Sequence, residues 1–152
     1  MRQLFKIFLL AALGNLVFLA DARAIPNGNL NIEIRELKNQ KGQICLAIYS
    51  GGRGFPSNDK FSVRAQCVKI KETQQKVTFS DLKAGTYAVS VFHDANQDGK
   101  LNSNAFGIPV EGFGFSNNPT VITKPPKFIE SAIFVAGSNT NIQIQLQYPF
   151  GG

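Results

Sequence analysis

Hydrophobic and polar residues alternate along much of this chain. Leu30, Ile32 and Ile34 alternate with Asn31, Glu33 and Arg35. Successive side chains of an extended strand point to opposite faces, so this stretch predicts a half-buried strand. Ile44, Leu46 and Ile48 alternate with Cys45, Ala47 and Tyr49 in a second strand. The polar connection between them, Lys38 to Gly42, ends on a glycine and has the composition of a hairpin turn. Phe61 to Ile70 reads as a third strand whose parity breaks after Cys67, which predicts a bulge. Val77 and Phe79 begin a short strand, and Ser80 to Gly85 is a turn. Thr86 to Phe92, with Tyr87, Val89 and Val91 on one face, is the most regular strand. Later segments are Thr120 to Thr123, Phe128 to Val135 after the breaker Pro125-Pro126, and Asn141 to Tyr148. No window holds a helical period. The pattern predicts an all-β fold, an antiparallel β-sandwich of about seven strands.

One long stretch fits no element. His93 to Asn118 is too polar and glycine-rich for a core strand, and its phenylalanines Phe106, Phe113 and Phe115 set it apart from disordered chain. It is expected to be a long, ordered, glycine-rich surface loop. The Ser50 to Asp59 stretch is a second loop by composition. It lacks the G-K-[ST] ending of a phosphate cradle.

The chain of 152 residues suffices for one domain. Its start does not belong to that domain. Arg2 and Lys6 precede an apolar run from Ile7 to Ala20, and Ala22-Arg23-Ala24 offers small residues at the positions a signal peptidase reads. Residues 1–24 therefore read as a secretory signal peptide, and 25–152 as a single domain. The run is shorter than the roughly 20 residues that span a bilayer, so no membrane span is expected after cleavage. The residue directly after the cleavage point is Ile25 and not cysteine, so no lipoprotein anchor is expected. The protein should be exported, to the periplasm or the extracellular space. The formal net charge is +6, and the signal contributes Arg2, Lys6 and Arg23 against Asp21. The remaining basic residues are scattered, without the aromatic-interleaved basic cluster that tracks a nucleic acid, so no nucleic-acid partner is expected. The two cysteines, Cys45 and Cys67, are an even count in an exported chain and lack C-x-x-C spacing. They predict one structural disulfide, worth about 3 kcal/mol on the chain-entropy model.

Asp94, Asn96 and Asp98 fill the first, third and fifth positions of a D-x-N-x-D-G pattern that ends on Gly99. Hard cations take oxygen ligands, and alternating side chains converge as the backbone curls around the ion. The glycine permits the bend. Lys100 could add its carbonyl and Asn102 a side-chain oxygen. The twelfth position is Ala105 in place of the EF-hand glutamate, and Glu111 is the nearby carboxylate able to replace it. The candidate metal set is Asp94, Asn96, Asp98, Lys100, Asn102 and Glu111, with calcium as the ion, bound weakly. The alternative is a polar turn whose Asp and Asn side chains bond their own backbone. His93, the one histidine, reads as a strand-end side chain bonded to a neighbouring loop, with a metal-ligand or general-base role as the alternative.

The motifs Leu82-Lys83-Ala84-Gly85-Thr86-Tyr87, Val91-Phe92-His93-Asp94, Asp98-Gly99-Lys100-Leu101, Gly107-Ile108-Pro109 and Gly114-Phe115-Ser116-Asn117-Asn118 together resemble the bacterial family known as domain of unknown function 2141 (DUF2141). The resemblance covers nearly all of 25–152. It implies an exported protein with a transthyretin-like or Ig-like sandwich, and no established activity. The expected function is a non-catalytic exported module whose calcium-ordered loop faces a partner protein or polysaccharide of the cell envelope. Loops on a rigid scaffold are where such binding sits. The phenylalanines could equally pin the loop to the sheets. The alternative function is an envelope or extracellular hydrolase of glycans or esters, using Asp94 and Glu111 as an acid/base pair or His93 as base.

Overall fold

A computed structural model describes residues 27–149. The expected signal segment, 1–24, lies outside the described residues. The chain forms eight strands there: β1 (Gly28–Arg35), β2 (Gln43–Tyr49), β3 (Arg64–Lys69), β4 (Gln75–Leu82), β5 (Gly85–Asp94), β6 (Phe113–Phe115), β7 (Ile133–Val135) and β8 (Asn139–Gln145). They make two sheets. The first has the order β4-β1-β8, and the second β3-β2-β5-β6, with β7 also on β5. β6 pairs with Ser90–Phe92 and β7 with Gly85–Tyr87, so the two short strands share one edge of β5.

The alternating apolar residues face one common core. Leu30, Ile32, Ile34, Val77, Phe79 and Ile144 come from the first sheet, and Ile44, Leu46, Ile48, Val89 and Val91 from the second. Each such side chain contributes about 1.5–3 kcal/mol on burial. Phe113 closes one side. Its N–H donates to the Gln147 carbonyl (3.0 Å), and Gln147 N–H returns a bond to the Phe113 carbonyl (2.7 Å), just beyond β8. β6 thus ties the second sheet to the first.

Several expectations need correction. The sheets are not purely antiparallel, because β8 runs parallel to β1, pairing Asn29 with Asn139 through Arg35 with Gln145. The chain leaves β7, turns at Gly137 and enters the first sheet beside the start of β1, where Asn29 N–H donates to Ser138 O (2.9 Å). Residue alternation carries no information about strand direction, so this pairing was invisible in the pattern. The bulge expected in β3 is absent, since its pairing with β2 runs unbroken from Gln43↔Lys69 to Ile48↔Arg64. Its parity conflict has another origin: Val68 packs on the core while Ala65 and Cys67 face outward. The strand also starts late, because Asp59–Phe61 is a 3-10 turn capped by Asn58. Thr120 to Thr123 forms no strand. It lies between Pro119 and Pro125-Pro126, and prolines cannot donate to a ladder. Phe128 to Val135 divides into a 3-10 turn (Phe128–Glu130) and β7. The long loop is shorter than expected at both ends. His93 and Asp94 finish β5, and Phe113–Phe115 is β6 with all three residues buried.

The disulfide is present. Cys45 and Cys67 stand directly opposite each other on β2 and β3, with Cα atoms 4.0 Å apart.

Candidate functional site

The end of β5 fixes the base of the Ala95–Gly112 loop. Asp94 pairs across the sheet with Gln43, and its side chain is fully buried. Its Oδ2 accepts from Gln43 Nε2 (2.8 Å) and from Gly99 N–H (2.9 Å), and its Oδ1 accepts from Asp98 N–H (3.1 Å). One carboxylate therefore holds the whole D-x-N-x-D-G bend. The bend requires left-handed backbone at Gln97 (φ 63°) and Gly99 (φ 75°), and the glycine adopts it without a β-carbon clash. The hairpin glycine packs underneath. A β-carbon on Gly42 would overlap the Asp94 carbonyl, so the Lys38–Gly42 connection and the loop base interlock.

Glu111 closes the other end. Its Oε1 accepts from Ala95 N–H (3.0 Å) and its Oε2 from Asn102 N–H (2.9 Å). Three side chains gather on the water-facing side of this frame. Asp98 Oδ2 accepts from Asn102 Nδ2 (2.9 Å) and Asn96 Nδ2 (3.1 Å), and Asn96 Nδ2 also reaches Asn102 Oδ1 (3.3 Å). Lys100 gives its backbone N–H to Asp98 Oδ1 (2.9 Å). The Asn102 amide, helped by the Lys100 N–H, holds the Asp98 carboxyl below the usual carboxylate range.

The six expected ligands thus divide by position. Asn96, Asp98 and Asn102 come together. Asp94 and Glu111 stand behind them with all four carboxylate oxygens engaged by N–H donors, and Lys100 joins through its backbone. Calcium–oxygen distances of about 2.3–2.6 Å put neighbouring ligand oxygens about 3 Å apart, whereas the 2.9–3.3 Å contacts here run from amide nitrogens to oxygens. Rotating the two amides would present oxygens where their nitrogens now lie. That rotation would set two amide oxygens beside a single exposed carboxylate, and it would cost Asn96 Oδ1 the bond it now accepts from Asp98 N–H (3.1 Å). Among the described residues no three His, Cys, Asp or Glu side chains cluster at metal-holding distance.

His93 is 2% exposed, and both ring nitrogens are engaged. Nε2 lies 2.7 Å from the Lys41 carbonyl, which only accepts, so Nε2 carries the proton. Nδ1 then accepts from the Tyr148 hydroxyl at 2.8 Å. The imidazole clamps the Lys38–Gly42 hairpin to the end of the chain and has no nitrogen left to act as a base. Burial pushes the Tyr148 phenol above its ordinary pKa. The Asp94 and Glu111 pair has no free carboxylate oxygen turned toward a substrate.

The phenylalanines separate into two roles. Phe113 and Phe115 are buried on the outer face of the second sheet. They join an edge-to-face chain in which Phe115 meets Phe55 (6.0 Å) and Phe55 meets Tyr49 (5.4 Å) and Phe128 (6.1 Å). Phe106, by contrast, is 87% exposed at the loop tip. Between the sheet face and the loops runs a groove of about 1120 Å³. Its floor is made of small groups on β2, β3 and β5: the Cys45–Cys67 disulfide, Ala47, Ala65 and Ser90. Nothing in the sequence reading anticipated this groove. The available signal was that the outward positions of β2, Cys45, Ala47 and Tyr49, carry no charge, although a water-facing strand normally does.

Residues 32–143 match the profile of a family described as an uncharacterized protein conserved in bacteria, DUF2141. The chain belongs to this family. The DUF2141 match runs from Ile32 in β1 to Gln143 in β8, so it takes in the loop, its acidic frame and most of the groove. No curated protein and no solved structure matches the chain. Among the described residues no helix is long and apolar enough to cross a membrane.

Proposed function

We propose that this DUF2141 protein is an exported, non-catalytic module: a transthyretin-like sandwich whose Ala95–Gly112 loop, weakly ordered by calcium, is displayed to a partner protein or polysaccharide of the cell envelope. One observation carries the reading. Asn96, Asp98 and Asn102 lie within 2.9–3.3 Å of one another on a frame locked by Asp94 and Glu111. A polar turn needs its side chains only to bond nearby backbone. Here the side chains also converge on each other. The two sheets facing one core support the sandwich. The leader-like 1–24 segment and the disulfide both suit an oxidising compartment outside the cytoplasm.

The ligand role falls to Asn96, Asp98 and Asn102, with Asp94 and Glu111 holding them in place. With one direct carboxylate the site belongs to the weak extracellular class, with Kd about 0.1–1 mM. Calcium at about 10 mM then stabilises the fold by about 1.4–2.7 kcal/mol through linkage. Thermal melting in calcium and in chelator measures this, with Asp98→Ala as control. The wild-type protein should melt higher in calcium and the variant should not. Superimposable wild-type curves would refute the calcium reading.

A further inference from the structure

The groove on the outer face of the second sheet calls for an occupant. On β2, β3 and β5 its lining includes small groups, the disulfide, Ala47, Ala65 and Ser90. Phe92, Phe113 and Phe115 rise beside it, and the Gly99–Pro109 and Val121–Pro125 segments form the banks. Two large apolar side chains stand at those banks almost wholly in water: Phe106 and Ile122, each 87% exposed. Exposed apolar surface of this kind, beside a concave apolar channel of ligand-pocket size, marks a binding site. Lys100 and Lys124, one on each bank, are both exposed and both line the channel. The one carboxylate in the lining, Asp59, comes from a different segment, beside Pro56 and Ser57.

An apolar groove of about 1120 Å³ whose lining includes two lysines fits an amphiphile with one acyl chain and one negative head. We propose that the groove binds a long-chain fatty acid, its acyl chain lying over the Cys45–Cys67 disulfide and Ala65, and its carboxylate held by Lys100 and Lys124. The small side chains of Ala47, Ala65 and Ser90 leave room for an acyl chain over the sheet. The two flanking ammonium groups supply the charge complementarity that a neutral hydrocarbon would not use. This assignment goes beyond the calcium reading: one bank belongs to the same loop, but none of the three candidate calcium side chains lines the groove.

Calorimetric titration of the purified protein with palmitate, in chelator so that no calcium soap forms, tests it. Saturable binding of one palmitate per chain is expected. Hexadecanol, which keeps the chain and loses the charge, should bind about tenfold more weakly, and Lys100→Ala with Lys124→Ala should weaken palmitate by about the same factor. Ala65→Leu raises the floor on the exposed side of an edge strand and should abolish binding while leaving the melting temperature near wild type. No palmitate binding, equal affinity for hexadecanol, or an Ala65→Leu variant that binds normally would each overturn the proposal. Binding to anionic phospholipid vesicles or to a peptide without palmitate binding would also overturn it. A missing calcium shift with intact palmitate binding would sink only the calcium reading.

Discussion

The two sheets present opposite outer faces. On the first sheet the outward residues of β1 and β8 are Asn29, Asn31, Glu33, Asn139, Asn141 and Gln143, and they bond sideways to each other. Asn31 Nδ2 donates to Asn141 (2.9 Å), Thr78 donates to Asn31 (2.9 Å), and Gln143 donates to Glu33 (3.3 Å). On the second sheet the outward residues are Cys45, Ala47, Tyr49, Phe92, Phe113 and Phe115, and most of them are buried beneath the loops. One face ends in water. The other begins a second, smaller apolar layer. The difference follows from burial, because a sheet needs no covering layer to be stable when its outer face is already polar. The loops, the disulfide and the groove all belong to the side that has one.

The sharpest way to break this comparison is to truncate matching outward residues on the two faces. Tyr49 is buried against Phe55. Tyr49→Ala should cost about 3–5 kcal/mol, as loss of a core aromatic does. Asn31→Ala removes only exposed amide bonds and should change stability by less than about 1 kcal/mol. Chemical denaturation of both variants measures the gap. Equal losses would mean that the outer layer of the second sheet is not a core at all.

The contrast also explains how much could be read from residues alone. β1, β8 and the inward sets of β2 and β5 were legible because each has a one-sided or regularly alternating pattern. The end of the loop was not. Phe113-Gly114-Phe115 has no polar residue to alternate with its apolar ones, since both faces of β6 are buried, and a strand of that kind looks like glycine-rich loop. β3 misled for the same reason, with Val68 turned inward and Ala65 and Cys67 turned to the groove. The D-x-N-x-D-G bend was visible, because its chemistry is local. Its division into frame and ligand set was not, because Gln43 reaches Asp94 from another strand and Glu111 closes the loop from its far end.

A second test sharpens the comparison at the loop, where a buried carboxylate and an exposed one lie four residues apart. Asp94→Ala would take the acceptor from the Gly99 N–H and the Gln43 amide, both part-buried, and leave the Asp98 N–H with Asn96 Oδ1 alone. Such losses cost about 1–3 kcal/mol for each stranded group, so a total near the upper value is expected. Asp98→Ala, in chelator, should cost far less, because water replaces an exposed carboxylate. A denaturation series that ranks Asp98→Ala as the worse of the two would show that the ligand set, and not the frame, holds the loop.

The smallest expected effect lies at the seam between the sheets, where Tyr148 meets His93. Tyr148→Phe leaves His93 Nδ1 without its donor and should cost about 1 kcal/mol at neutral pH. Its signature is the alkaline limb. Burial raises the folded-state pKa of Tyr148 above its unfolded value, which is about 10. A group shifted in that direction contributes stability that is fully present below the unfolded pKa and is lost as pH rises through the folded one. The wild-type protein should therefore weaken above about pH 10, as the unfolded chain begins to release protons that the folded chain retains. Burial raises the Tyr49 phenol in the same direction, so Tyr148→Phe should flatten that limb without removing it. Stability measured against pH for both proteins decides the point. An unchanged alkaline slope in the variant would mean that the phenol at the seam is open to water.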